Sequence, residues 1–260
     1  MIRAEFERLY QYRDLLRTLV TRALKVRYRR SAIGFLWTIL HPLMTMLVLS
    51  AVFSEVFRTQ VPHYGLHALA GIVFWQFFSQ TVTSCLYSLK GHASLLTKLP
   101  LPTSIFPLST VLSGLTNLAF ALVPLLLIAA ASGARPKTDV VLYLPLSVLL
   151  SGLFTLGLGL LLAPLAVMFS DTIEVVSILL TLLMYLTPVF YPSQIVPVRL
   201  QWLMMLNPLA AMLDLFRGPL LGTALPSGAA IVVATSATAL VLTAGIVVFA
   251  RTSRRLALYL

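Results

Sequence analysis

The sequence predicts an all-α membrane protein with six transmembrane helices, an N-terminal amphipathic interfacial helix and short re-entrant helices between spans 5 and 6. Hydrophobic residues make up 59% of the 260 residues and charged residues only 10%, with a mean hydropathy of +0.94. Soluble domains are nearer a quarter charged, so this chain has too little polar surface to face water. The charges are also grouped, which leaves long uncharged stretches between them.

These uncharged stretches define the spans. Each can hold the roughly 20 apolar residues that a helix needs to cross the hydrocarbon core. We predict one transmembrane domain over residues 31–260, with spans near 34–57, 67–88, 104–131, 141–168, 174–190 and 228–250. The first 30 residues show no continuous apolar core of the kind found in a signal peptide.

Prolines shorten the fifth span and shape the segment after it. Pro188, Pro192 and Pro197 end the span early, and Asn207-Pro208 indicates a turn. Residues 191–220 are too apolar for an aqueous loop, and non-helical backbone in a membrane must be buried in protein or line a cavity. We therefore predict a re-entrant segment there. Within it Asp214 and Arg217, three positions apart on one helix face, are expected to pair.

Residues 1–30 are predicted to form a cytoplasmic amphipathic helix. They contain nine of the nineteen Lys and Arg residues, together with an apolar stripe: Ile2, Phe6, Leu9, Leu16, Val20 and Leu24. Such a helix lies in the plane of the interface, with its apolar face in lipid and its arginines near anionic headgroups. Arg13 and Arg27 interrupt the stripe, so a soluble docking helix is the alternative.

The distribution of positive charge predicts the orientation. Six spans place both termini on one side. Fourteen Lys and Arg residues fall on that side and five on the other, which makes the termini cytoplasmic.

Several classes of function are disfavoured. The basic residues do not form the folded, aromatic-interleaved face of a nucleic-acid-binding protein. The chain contains no phosphate-binding GxxxxGK[ST] loop, no HExxH and no GxSxG. His63 and His67 have helical spacing, but Pro62 and Gly65 argue against a helix there, so no metal site is predicted. The spans hold almost no ionisable group, which disfavours an ion-coupled carrier and leaves the energy source outside this chain.

The segment KVRYRRSAIGFLWTILHPL resembles the start of the first span in ABC-2 type permeases of the polysaccharide export group. The matching positions are Arg27, Tyr28, Ser31, Gly34, Trp37 and Pro42. Three more segments resemble the family in the expected order: LLTKLPLPTSIFPLSTV, FSDTIEVVSILLTLLMYLTPVFYP and LQWLMMLNPLAAMLDLFR. One departure is Ser170, which stands where the family commonly has an arginine before the acid at position 171.

The resemblance implies the membrane subunit of an exporter for lipid-linked polysaccharide such as O-antigen or teichoic acid. Such exporters combine two copies of the permease with two copies of a separate ATP-binding subunit. No cofactor is expected in this chain, since ATP and Mg²⁺ belong to the partner. The expected location is the bacterial cytoplasmic membrane. The alternatives are an ABC-2 permease for a drug or a lipo-oligosaccharide, and a membrane-embedded lipid-modifying enzyme.

Two groups of site residues follow from the resemblance and from chemistry. Residues proposed to couple the permease to the ATPase are Lys90, Lys98, Asp171 and Glu174. Lys90 and Lys98 could instead belong to an ordinary basic loop, and Asp171 with Glu174 has the spacing of a helix capping box. Residues proposed to bind substrate are Arg27, Arg29, Arg30, Trp37, Trp75, Phe78, Tyr185, Phe190, Tyr191 and Trp202.

Those substrate residues also have simpler explanations. The arginines could meet a lipid-linked pyrophosphate or could only anchor the first span. Aromatic rings offer flat apolar faces to the C–H patches of sugars, but they also form interfacial belts in membrane proteins generally.

Overall fold

The computed structural model describes residues 10–28, 34–57, 63–99, 101–133, 140–222 and 227–253. In this part of the chain every regular element is helical. The α-helices are α1 (Arg13–Tyr28), α2 (Trp37–Phe57), α3 (Tyr64–Ser88), α4 (Ala93–Leu96), α5 (Ile105–Ala131), α6 (Val140–Met168), α7 (Asp171–Leu186), α8 (Val198–Leu206), α9 (Pro208–Leu221) and α10 (Gly228–Thr252).

Four of these helices are long and apolar enough to cross a membrane: α3, α5, α6 and α10, with 25 to 29 residues each. α2 has 21 residues with a shorter apolar stretch at Ile39–Val52, and α7 has 16 residues. All six helices lie where the sequence predicts spans. The all-helical prediction is confirmed for the described residues, whereas the count of six spans stays a prediction.

The boundaries differ most at α3 and α7, and local backbone geometry explains both. α7 occupies Asp171–Leu186 rather than 174–190, because Thr187 is extended (φ −99°, ψ 133°) and precedes Pro188, whose ring disfavours a helical residue before it. α3 begins at Tyr64, directly after His63 in the left-handed conformation (φ 56°). The expectation that Pro62 and Gly65 prevent a helix at His67 is therefore wrong.

α3 lies at the centre of the bundle. It packs against α2, α5, α6 and α9, and most of its side chains are buried. Phe74 packs against Phe216 of α9, and Phe78 against Phe154 of α6, with ring centroids 5.5 and 6.1 Å apart. Because several helices cover α3, apolar residues occupy most of its circumference, and Gln76, Gln80 and Ser84 form a polar stripe on one remaining face.

Two glycines allow α6 and α10 to approach closely. A Cβ atom at Gly157 would stand 2.7 Å from the Cα of Leu242, and a Cβ at Gly245 would collide with the carbonyl oxygen of Gly157. Helices in membranes gain association energy from such close packing, since lipid chains are as apolar as leucine. This pair of glycines sets the spacing of the largest helix–helix contact in the bundle.

A separate apolar cluster forms at one end of the bundle, which we call the α1 end. There Leu19 of α1 packs with Leu89, Ile105, Val167 and the C-terminal part of α10 through Phe249. Leu16, part of the predicted lipid-facing stripe, also contacts this cluster. The described part of α1 therefore packs against protein along this face. Ile2, Phe6 and Leu9 lie outside the described residues.

Substitution of Gly245 should disrupt the α6–α10 contact. The side chain of Gly245→Val would overlap the Gly157 backbone, and overpacking of this kind costs about 1–3 kcal/mol or more. We expect a lower thermal midpoint for loss of the monodisperse protein in detergent, measured by fluorescence-detected size-exclusion chromatography. Ala244→Val is the matched control, because the neighbouring Ala244 is exposed. Equal midpoints for the two variants would contradict the assignment.

Candidate functional site

The segment after α7 forms two short helices with opposite environments. None of the nine residues of α8 is buried, and Val198, Trp202 and Met205 are 83%, 56% and 69% exposed. In contrast, most of α9 is buried in the core. The predicted pair of short helices between α7 and α10 is thus present, with one helix packed in the bundle and the other presenting an apolar face outward.

Asn207 makes the turn between these two helices. Its side-chain oxygen accepts a hydrogen bond from the Leu209 N–H (3.0 Å), which caps α9, and Pro208 occupies the first helical position. Its side-chain nitrogen donates to the Thr187 hydroxyl (3.0 Å) and the Leu186 carbonyl (3.3 Å). One buried amide therefore caps α9 and also ties it to the end of α7.

Arg217 of α9 holds the break between α7 and α8. Its guanidinium is buried, with the residue 5% exposed. It donates to the Pro188 carbonyl (2.9 Å) and to Nε2 of His67 in α3 (2.9 Å), and it lies 3.4 Å from the Asp214 carboxylate. The predicted Asp214–Arg217 pair is confirmed.

The remaining partners of Arg217 could not be found from the sequence. His67 lies 150 positions before Arg217, and Pro188 takes part through a backbone atom, so no local pattern marks either one. His67 is buried in α3, although Pro62 and Gly65 argued against a helix at its position. The only signal in the sequence was an arginine and a histidine placed in otherwise apolar segments.

Two further contacts fix the same turn, residues 187–191. The Tyr64 hydroxyl donates to the Phe190 carbonyl (3.0 Å). Gly71 of α3 lies so close to the Val189 carbonyl that a Cβ atom would collide with it. The turn is therefore held by hydrogen bonds from α3 and α9 and by direct backbone contact with α3.

The predicted substrate-binding aromatics fall into two groups. Trp75 and Phe78 are buried, 8% and 1% exposed, and pack against each other in a tilted arrangement with centroids 5.7 Å apart. Rings packed in the core offer no face to a sugar, so the interpretation of these two residues as substrate-binding does not fit their placement. Trp37, Tyr185 and Trp202 are 51%, 65% and 56% exposed.

Phe190 and Tyr191 are half-buried beside the turn, and the Tyr191 hydroxyl donates to the Tyr185 carbonyl (2.7 Å). Among the predicted arginines, Arg27 lies in the last turn of α1, and Arg29 and Arg30 fall outside the described residues. The structure does not bring the exposed aromatics into a single pocket: Trp37 begins α2, Tyr185 lies near the end of α7 and Trp202 is in α8.

The four predicted coupling residues are exposed and lie in the connections at the α1 end. Lys90 begins a 3₁₀ turn after α3, and Lys98 follows α4. His92 braces this connection, since its ring stacks on Phe106 (4.7 Å) and its Nδ1 lies 2.8 Å from the Ser88 carbonyl oxygen. The connection is an ordered, cation-bearing surface.

Asp171 and Glu174 lie in the first turn of α7. The predicted capping box is not formed there. Asp171 is the first helical residue, and Ser170 in the capping position has helical backbone angles and makes no side-chain capping bond. Both carboxylates are exposed at the N-terminus of the helix, where its dipole favours negative charge.

Long apolar helices around a central helix, a broken segment after α7 and charged connections at one end together indicate a multi-pass membrane protein. The chain belongs to the ABC-2 type transporter family, whose profile matches residues 14–221.

The similar proteins include an O-antigen export system permease protein, RfbA, of Myxococcus xanthus. It is 39% identical over 80% of this chain and 81% of the relative. A protein of the same name from Klebsiella pneumoniae is 31% identical over 77% of each chain. The polysialic acid transport protein KpsM of Escherichia coli is 23% identical over 76% of this chain and 78% of its own length.

Replacement of Arg217 should loosen the 187–191 turn. Arg217→Met keeps a similar side-chain volume but removes the guanidinium N–H groups that donate to Pro188 and His67. The Pro188 carbonyl is then left unsatisfied, and an unsatisfied buried group costs about 1–3 kcal/mol of stability. We expect several-fold faster hydrogen–deuterium exchange in peptides covering the turn, measured by mass spectrometry.

Arg199→Met is the control for this variant, because Arg199 is an exposed arginine on α8. If Arg217→Met left exchange in the turn at the wild-type rate, the role assigned to the guanidinium would be wrong.

Proposed function

We propose that this chain is the transmembrane subunit of an ATP-driven exporter that moves lipid-linked polysaccharide across the bacterial cytoplasmic membrane. The observation that carries the proposal is membership in the ABC-2 transporter family together with the names of its relatives, which are permeases for O-antigen and a transport protein for polysialic acid. All of these cargoes are glycans.

The exposed face of α7 supports a passage for such a cargo. Only Val176 and Leu180 of this helix are buried. A polar stripe with helical spacing runs along the exposed side: Glu174, Ser177, Thr181 and Tyr185. Lipid would disfavour such a stripe, whereas a water-filled passage would accommodate it. The Tyr185 ring then offers a flat face on which a sugar can slide without being held tightly.

A homodimer supplies the other wall of the passage. α2 and α7 each expose large apolar side chains beside their few polar ones, including Leu47, Val48, Ile178 and Leu182. Two copies of the chain that paired through these helices would enclose the α7 stripes between them. This arrangement fits the expectation of two permeases with two ATP-binding subunits.

The α1 end is the proposed contact for the ATP-binding subunits. Lys90, Lys98, Asp171 and Glu174 all lie there, exposed, on connections that rest on the apolar cluster around Leu19. ATP binding would bring the two ATPases together and push on these connections and on α1. The cluster would pass that movement to the ends of α3, α5, α6 and α10.

The topology has six spans with both termini in the cytoplasm. Lys and Arg are concentrated in the segments assigned to that side. Leu19 near the N-terminus and Phe249 near the C-terminus pack in one cluster, which supports an even number of crossings. The Arg27, Arg29 and Arg30 cluster would then face the cytoplasmic surface, where guanidinium groups can pair with a lipid-linked pyrophosphate.

Deletion of the gene tests the function directly. The expected phenotype is a cell surface without the glycan and lipid-linked glycan retained in the cytoplasm, and a plasmid copy should restore export. Surface glycan is measured by immunoblotting, and retained glycan by chromatography of lipid extracts. Unchanged surface glycan in the deletion strain would overturn the proposal.

Charge reversal at the α1 end tests coupling. Lys98→Glu should weaken the ATPase contact, so that several-fold less ATP-binding subunit copurifies with the tagged permease. Arg199→Glu is the control, because Arg199 is exposed on α8, away from the proposed contact. Equal recovery of the ATPase with both variants would exclude Lys98 from the interface.

A further inference from the structure

A partly open cavity lies between α1, α2, α3 and α5 of one chain, with several polar side chains in its lining. Its volume is about 660 Å³, within the range of about 300–1,000 Å³ that is usual for ligand sites. The C-terminal half of α3 and the N-terminal half of α5 line it, so it lies toward the α1 end. It is distinct from the exposed face of α7 discussed above, since no residue of α7 lines it.

Two polar stripes face this cavity. α3 contributes Gln76, Gln80 and Ser84, which are spaced four residues apart on one face. α5 contributes a second stripe: Thr110, Ser113 and Asn117. Both helices are otherwise strongly apolar and long enough to cross a membrane. The polar side chains of two apolar helices are thus concentrated on one cavity.

The hydrogen bonds of the lining leave the cavity polar. The Gln76 amide nitrogen lies 2.8 Å from Nδ1 of His41, a contact that links α3 to α2. Thr110 and Ser113 donate to carbonyls of their own helix, at Phe106 and Ser109, and their hydroxyl oxygens can still accept bonds. The stripes therefore offer both donors and acceptors.

The chemistry of the lining indicates the class of ligand. The polar groups of the described lining are amides, hydroxyls and one imidazole. Uncharged amides and hydroxyls complement a ligand that carries many neutral donors and acceptors. Trp37, half-exposed at the edge of the cavity, adds a flat apolar surface. A sugar ring combines both properties, hydroxyl groups at its edge and C–H groups on its faces.

We infer that this cavity binds a sugar unit of the exported glycan, one site in each protomer, separate from the passage along α7. The inference rests on the proposed function and deepens it. A site at the α1 end would hold the sugars next to the lipid-linked headgroup before they enter the passage.

Labelling of single cysteines tests occupancy. Ser84 lines the cavity and the adjacent Thr83 does not, although both are exposed on α3. Ser84→Cys and Thr83→Cys are expressed with the ATP-binding subunit, in cells that make the glycan and in cells lacking its first glycosyltransferase. The probe is N-ethylmaleimide, and wild type gives the background because its only cysteine, Cys85, is buried.

We expect the glycan to slow labelling at position 84 at least threefold and to leave position 83 unchanged. Equal labelling of Ser84→Cys with and without glycan would overturn the inference. If Ser84→Cys does not accumulate in the membrane, Gln80→Cys takes its place, since Gln80 is also exposed on the cavity side.

An export assay separates this inference from the proposed function. If the wild-type protein fails to restore surface glycan in the deletion strain, the proposed function itself is contradicted. If wild type restores export, Ser84→Trp should fill the cavity and lower export at least fivefold, whereas Thr83→Trp should not. Export by Ser84→Trp at the level of Thr83→Trp would contradict the cavity site and leave the exporter assignment standing.

Discussion

The structure depends on satisfying backbone polar groups where a helix stops inside an apolar segment. α7 ends at Leu186, and the following turn exposes carbonyls that no helix bond can satisfy. Arg217 donates to Pro188, Tyr64 to Phe190, and Asn207 to Leu186. In an environment as apolar as hydrocarbon, each unsatisfied carbonyl would lower the stability of the fold by several kcal/mol. The buried arginine is tolerated because it donates to a carbonyl of the turn that would otherwise need a water molecule as its partner.

These bonds also decide which parts of the chain move together. The turn is tied to α3 by Tyr64, His67 and the close approach at Gly71, and to α9 by Arg217. α3 is the central helix, so the end of α7 is connected to the core and not to a mobile loop. α8, in contrast, buries none of its residues and packs only lightly against α9 and α10. A movement of α8 would therefore disturb little of the bundle.

The helices differ in which of their faces are covered by other helices. This difference supports the separate roles proposed above for α7 and for the cavity between α1, α2, α3 and α5. α6 and α10 cover each other through the close approach at Gly157 and Gly245. α7 is nearly uncovered within one chain, although it carries a polar stripe. The stripes of α3 and α5 face a cavity inside the protomer. Two polar surfaces on a largely apolar chain, one internal and one external, fit separate steps of binding and passage of a hydrophilic polymer.

The helical class and the positions of the six apolar helices could be predicted from the sequence, because charge-free stretches of sufficient length leave the backbone few other ways to satisfy its hydrogen bonds in lipid. The Asp214–Arg217 pair was also predictable, since residues three apart share a helix face.

Only the tertiary structure decided which side chains are covered. Trp75 and Phe78 are core residues and Tyr185 is exposed, although all three are aromatics in apolar helices. Periodicity carries little information in helices that are apolar all round. The His67–Arg217–Pro188 contact and the cavity between α1, α2, α3 and α5 join residues far apart in the chain, so their partners are set by packing alone.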